Sequence, residues 1–207
     1  IEDCCHSLGG ENNNKKIGKE GIASIFSLYA TKIITGGEGG LIWSKNKNLI
    51  DRALDYRNFD LRKKYYPRTN FNLTDIQASL ILNQFKRINL IREKRSNLAK
   101  KFSLHLNEDI KLQPSILQKN RMVYRFVMRF PSKKIRDNFK KHMLINRVKC
   151  IVPIERFELL HRYLKINPKN FEISEKVVDT TLSIPIFPDL TKLEENKICK
   201  ALKSFNY

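Results

Sequence analysis

Apolar residues along these 207 positions fall into two kinds of pattern. In the first part they form short runs: Ile1–Cys5, Gly21–Tyr29 and Gly40–Ser44 are β-rich and predict strands. Residue 1 is an Ile already inside the first of these, so the chain reads as a piece of a longer polypeptide in preference to a trimmed N-terminus. Ser44 opens a predicted helix to about Arg57. Residues 57–69 form a basic, aromatic loop broken by Pro67. Thr74-Asp75-Ile76-Gln77 is a capping box. From it one long helix is expected to about Leu106, with Ile81, Phe85, Ile88 and Ile91 on or near one face. Beyond Asn107 the pattern restarts: strand Tyr124–Phe130, helix Ser132–Ile145, strand Val148–Val152, a helix near Ser174–Thr181 and strand Ile184–Phe187. A second capping box, Thr191-x-x-Glu194, begins the last helix, with Ile198, Leu202 and Phe205 on one stripe. Strands alternating with helices imply an α/β fold, with a small α/β layer domain in the C-terminal half. The expected division is residues 1–95, which include the start of the long connecting helix, and residues 96–207.

Composition narrows the class. The chain is 41% hydrophobic and 29% charged, as in a globular protein. No apolar run approaches the roughly 18 residues of a membrane span, and no leader pattern is visible. Cys4, Cys5, Cys150 and Cys199 make no C-x-x-C pair. His6, His105, His142 and His161 lie near no cysteine at ligand spacing. A reducing, cytoplasmic setting without membrane or structural metal is expected. Net charge is +19, but residues 1–60 hold eight basic and eight acidic side chains, so the excess falls after residue 60. Three readings stay open: solvated lysine-rich faces, attraction of an anionic nucleotide-sugar or cofactor phosphate, and nucleic-acid binding, which the dispersed charge disfavours.

The chemistry gathers around Lys32. An apolar approach ends in the lone carboxylate of Asp3. Ser27 stands five residues before Lys32, and Gly36-Gly37-Glu38-Gly39-Gly40 follows. An acid, a hydroxyl, a lysine and a flexible turn are the parts of a pyridoxal phosphate site: the amine forms a Schiff base and the Asp keeps the pyridine nitrogen protonated. Read singly, Asp3 could be a surface carboxylate. The glycine run lacks the G-K-[ST] ending of an ATP loop and suits a tight turn.

Asp3-x-x-His6, Ser27-Leu28-Tyr29-Ala30-Thr31-Lys32, Thr35–Gly40, Arg57-Asn58 and Asn70–Ala78 resemble the DegT–StrS family of fold-type-I, pyridoxal-phosphate-dependent aminotransferases acting on nucleotide-linked keto-sugars. The similarity continues through Val148–Pro153, Leu160-His161-Arg162-Tyr163 and Leu182–Thr191. The resemblance implies an incomplete large-domain sheet at 1–95 and a small C-terminal domain at 96–207. It implies that Lys32 is catalytic and that Asp3, His6, Ser27, Lys32 and Asn70 bind the cofactor, His6 having a packing role as its alternative. Asn70 would reach the phosphate of a neighbouring subunit, hence a homodimer with shared sites. Tyr29, Arg57 and His161 are the implied substrate contacts; read on its own, His161 is a surface or packing residue. The amino donor implied is glutamate. Three points bear on details of the family pattern: R-N-H-G is Arg57-Asn58-Phe59-Asp60 here, Tyr124 fills an aromatic-or-His position, and Arg147 replaces a common glycine. The family's phosphate-gripping loop and its ring-stacking aromatic are not in this sequence, so the chain alone is not expected to be an active enzyme. Two other functions stay open, a dehydratase of the same family and a non-catalytic basic binding module. Such dehydratases characteristically replace the Schiff-base lysine, and Lys32 favours transamination.

Overall fold

The computed structural model describes residues 1–114 and 116–206. The chain divides into two compact units, residues 1–93 with 120–124, and residues 94–119 with 125–206.

In the first unit β1 (Glu2–Asp3), β4 (Ala23–Ser27) and β5 (Gly40–Ser44) form a three-stranded sheet in the order β1-β4-β5, and a hairpin of β2 (Glu11–Asn12) and β3 (Lys15–Lys16) lies between β1 and β4 along the chain. β1 runs parallel to β4 with Asp3 opposite Ile25, and β4 pairs antiparallel with β5 with Ser27 opposite Gly40. The hairpin turns on Asn13 and Asn14, both at positive φ (49° and 62°). That is the backbone a two-residue hairpin requires, and Asn tolerates it. Helix α1 (Lys47–Arg57) starts later than the sequence suggested, because the Asn46 side chain, accepting from the Leu49 N–H, is the cap. Helix α2 (Asp75–Lys86) begins at the expected Thr74–Gln77 capping box. Leu28, Ile33, Ile34, Ile81 and Met122 form the core of this unit, with Ile88, Ile91 and Tyr124 packed against it.

The single long helix is corrected. The chain leaves helical geometry at Arg87 (φ −105°, ψ 11°) and resumes as α3 (Ile88–Ser103). No proline or glycine marks the break. It accompanies a tight approach of Ile88 to Gly9, where a Cβ would lie 2.6 Å from the Ile88 side chain.

The second unit holds an antiparallel sheet β6-β7-β8, formed by Lys111–Leu112, Phe126–Arg129 and Thr181–Ile184. The strand predicted at Ile184–Phe187 lies earlier because Pro185 has no N–H to extend the ladder. Helices α4 (Lys133–Ile145), α5 (Leu160–Tyr163), α6 (Glu172–Thr180) and α7 (Lys192–Lys203) complete the unit. The ring of Phe139 on α4 meets Phe130 and Phe205, each at 4.9 Å between centroids. The predicted strand Val148–Val152 is reduced to one bridge, Ile151 to Ser183. Its first residues are used instead to close α4: the Val148 N–H donates to the Met143 carbonyl and the Arg147 N–H to the Leu144 carbonyl. This is a Schellman ending, and it puts Arg147 at φ 57°, where glycine is favoured.

The 155–180 segment is tied by charge. Glu175 accepts both arms of Arg162 at 2.8 Å and the His161 Nε2 at 2.7 Å, while Arg156 pairs with Asp179. The His161 ring also stacks on Phe171, with centroids 4.4 Å apart and 7° between planes. Arg162 and then His161 pull the Glu175 carboxyl down to about 2 from 4.5.

Two outcomes follow. Arg147→Gly should stabilise the fold by about 1 kcal/mol, the cost of holding an L-residue in the left-handed region; urea unfolding should give a higher midpoint at unchanged slope. Because the Glu175 pKa is lower folded than unfolded, its contribution is complete above about pH 4.5 and is lost as pH falls from there through about 2. Glu175→Gln should therefore be less stable than the parent near neutrality. It should also show a flatter acid-unfolding curve in that window.

Candidate active site

The loop carrying Lys32 is built by its neighbours in sequence. Leu28, Ile33 and Ile34 are buried on both sides of it, which leaves Lys32 half-buried at the turn between. The turn is closed by the Lys32 N–H donating to the Tyr29 carbonyl at 2.9 Å. Leu28 is the anchor: its N–H donates to Gly39 O, and its carbonyl accepts from the Gly36 N–H and the Thr35 hydroxyl. The loop passes close at Gly36, where a Cβ would lie 2.8 Å from the end of the Ile81 side chain and 3.2 Å from the Glu38 carbonyl. Gln84 of α2 grips the loop from below. Its Oε1 accepts from the Thr35 N–H at 3.1 Å and its Nε2 donates to the Thr35 carbonyl at 2.7 Å.

Asp3 stands at the end of β1. Its Oδ1 accepts from the Cys5 N–H at 3.0 Å. Hydrogen bonds from the Cys5 thiol and N–H hold its carboxyl below the ordinary value, and the charges of His6 and Lys32 act in the same direction. The converse holds for Cys5, whose thiol is pushed up by burial and by the Asp3 carboxylate. Ser27 ends β4, and its hydroxyl accepts from the Tyr29 N–H at 3.4 Å. The His6 ring stacks on Tyr124 with centroids 4.1 Å apart, and the Lys32 Nζ lies 5.4 Å from the centre of the same ring. His6 and Lys32 therefore meet at the face of Tyr124, and the Asp3 carboxylate lies within electrostatic reach of both.

The other sequence-derived candidates lie elsewhere. Tyr29 is exposed beside the loop. Arg57 ends α1, and the backbone bridge from Asn58 to Asn70 closes the base of the basic loop. Asn70 is exposed, its Oδ1 accepting from Asn72 Nδ2 at 3.1 Å. His161 is in the second unit, buried and engaged with Glu175. Among the described residues no group of His, Cys, Asp and Glu suits a metal ion, and no helix is long and apolar enough to cross a membrane.

Sequence reasoning missed Gln84, Thr35 and Cys5. Gln84 did leave a signal, since it falls on the Ile81–Ile88 stripe, where a polar side chain must find a buried partner.

Comparison with known proteins adds the lineage. A transaminase of Aneurinibacillus thermoaerophilus named for dTDP-3-amino-3,6-dideoxy-alpha-D-galactopyranose is 25% identical over 100% of this chain and 58% of its own length. GDP-perosamine synthase of Escherichia coli O157:H7 is 22% identical over 99% and 57%. The chain thus spans little more than half the length of these relatives. Among solved structures, Helicobacter pylori PseC, an aminotransferase involved in pseudoaminic acid biosynthesis, superposes with a TM-score of 0.84 at 21% identity, covering 97% of this chain and 57% of that one. A Streptococcus pneumoniae sugar aminotransferase in its PLP form gives 0.81 at 21%, covering 98% and 56%. These likenesses bear out the expected fold, part of a fold-type-I transferase. A family model matches residues 1–203, and the chain belongs to the DegT/DnrJ/EryC1/StrS aminotransferase family.

Proposed function

We propose that this chain carries the reactive lysine of a pyridoxal-phosphate-dependent aminotransferase that moves an amino group from glutamate to a nucleotide-linked keto-sugar, in amino-sugar or cell-surface polysaccharide synthesis. The setting is the cytoplasm and the working unit a homodimer. The observation that carries the reading is the Asp3 carboxyl at the end of β1, held below its ordinary pKa by Cys5 and within electrostatic reach of His6 and Lys32. The nucleotide-sugar names of the relatives support the substrate class.

The residues fit the cofactor. Pyridoxal phosphate, when bound, supplies a ring that accepts electrons from the reacting carbon. Asp3, ionised at neutral pH, is suited to keep a proton on the ring nitrogen. His6 is placed to face the ring hydroxyl, and the Ser27 hydroxyl to donate to the phosphate. Lys32 would provide the amine that holds the cofactor, and the same amine would take up and return a proton at the reacting carbon. Its half-buried setting limits water around that amine. Asn70, exposed at the base of the basic loop, is available to the phosphate in a second copy. Tyr29 and Arg57 are proposed substrate contacts. His161, buried against Glu175 and Phe171, is proposed as another. A lysine at this turn favours transamination over the dehydratase reaction.

Borohydride treatment in the presence of pyridoxal phosphate should leave a pyridoxyl group on the peptide containing Lys32; recovery on another lysine would sink the assignment. In a protein that also carries the phosphate-gripping loop, Lys32→Arg should keep the charge and abolish amino transfer, because a guanidinium does not give up its proton. Asp3→Asn should lower turnover by more than ~10-fold with little change in thermal unfolding. A smaller loss would mean that Asp3 does not serve the ring nitrogen.

A further inference from the structure

Tyr124 reaches the Lys32 cluster by an unusual route. Residues 120–124 belong to the first unit, while the chain on both sides belongs to the second. The excursion is firmly held. Met122 is buried in the core cluster with Leu28, Ile33 and Ile34. The Glu11 N–H donates to the Asn120 carbonyl at 2.9 Å, and Asn120 Nδ2 donates to Glu11 Oε2 at 2.8 Å. Asn120 takes φ 64° to make the turn. The Tyr124 ring is thus delivered to a fixed place.

Three site residues meet it there. His6 stacks at 4.1 Å with 22° between planes, Lys32 Nζ stands 5.4 Å from the ring centre, and the Thr31 hydroxyl is 3.5 Å from the phenol oxygen. The last is at the limit of a hydrogen bond, and the other two contacts are made by the ring itself. An aromatic face attracts an ammonium group and stacks on an imidazole. Lysine has a long, rotamer-rich side chain, and chemistry at its amine depends on where that amine is held.

We propose that Tyr124 is a positioning residue of this site, its ring fixing the His6 imidazole and restraining the Lys32 amine. This rests on the assignment of Lys32 as the reactive residue. It adds that the aromatic face, and not the phenol group, is what the site requires at this position. Phenylalanine therefore substitutes for it, and an aliphatic side chain does not.

The test uses the full chain without cofactor. In carbon–proton NMR spectra the His6 ring signals should show an upfield ring-current displacement that Tyr124→Phe retains and Tyr124→Leu loses. Competitive arylation read by mass spectrometry, with the exposed Lys45 as internal standard, should label Lys32 about threefold faster in Tyr124→Leu and within about twofold of the parent in Tyr124→Phe. Should Tyr124→Leu fail to fold by circular dichroism, Tyr124→Met makes the same comparison with a flexible side chain lacking an aromatic face. The proposal is overturned if the aliphatic variant matches the parent in both readouts, or if Tyr124→Phe behaves like the aliphatic variant. A pyridoxyl label on a different lysine would overturn the functional reading while leaving both cofactor-free readouts as they are.

Discussion

Everything at the candidate site depends on burying the residues beside Lys32 while Lys32 itself stays at the turn. Leu28 and Ile34 are fully buried, and a buried backbone must place each of its polar groups. The Leu28 carbonyl does so with Gly36 and Thr35, and the Thr35 backbone does so with the Gln84 side chain. The glycines serve this closure. Gly36 lets the loop pass against Ile81, and Gly37 and Gly39 supply positive φ (85° and 130°). The lysine is thus held by hydrophobic contacts and hydrogen bonds that belong to its neighbours.

Electrostatics then sorts the groups that surround it. Asp3 is kept ionised chiefly by donors from Cys5 two residues away, and only secondarily by the charge of Lys32. The carboxylate therefore does not need the lysine as its counter-ion.

Much of this was legible in the sequence, for physical reasons that differ by element. The capping boxes at Thr74 and Thr191 were readable because side chain and backbone satisfy each other within one turn. Asp3, Ser27 and Lys32 stood out by their chemistry and order, and their positions at two strand ends and a turn could be read from the flanking apolar runs. The break at Arg87 was not readable, since Arg87 has no anomalous local propensity and the close approach of Ile88 to Gly9 that accompanies it joins residues far apart in sequence. The strand expected at Val148 failed because the apolar run was needed to close α4, a competition visible only once Arg147 is seen in the left-handed region. Gln84 looked like one more helix-forming residue on a stripe, and its partner, the backbone of Thr35, has no signature in a sequence.

The excursion of residues 120–124 makes the two units inseparable in the order of synthesis. Met122 completes a core whose other members lie at positions 28 to 81, so that core closes only after some forty further residues have been made. A nascent chain exposing Leu28, Ile34 and Ile81 must wait for a piece that comes from within the next unit. Such sequence separation slows the formation of native contacts and lengthens the time during which apolar surface is open to association. For the same reason no single cut divides this chain into two self-sufficient halves. A break at the helix between the units would remove from the first one both a core side chain and the aromatic wall of its site.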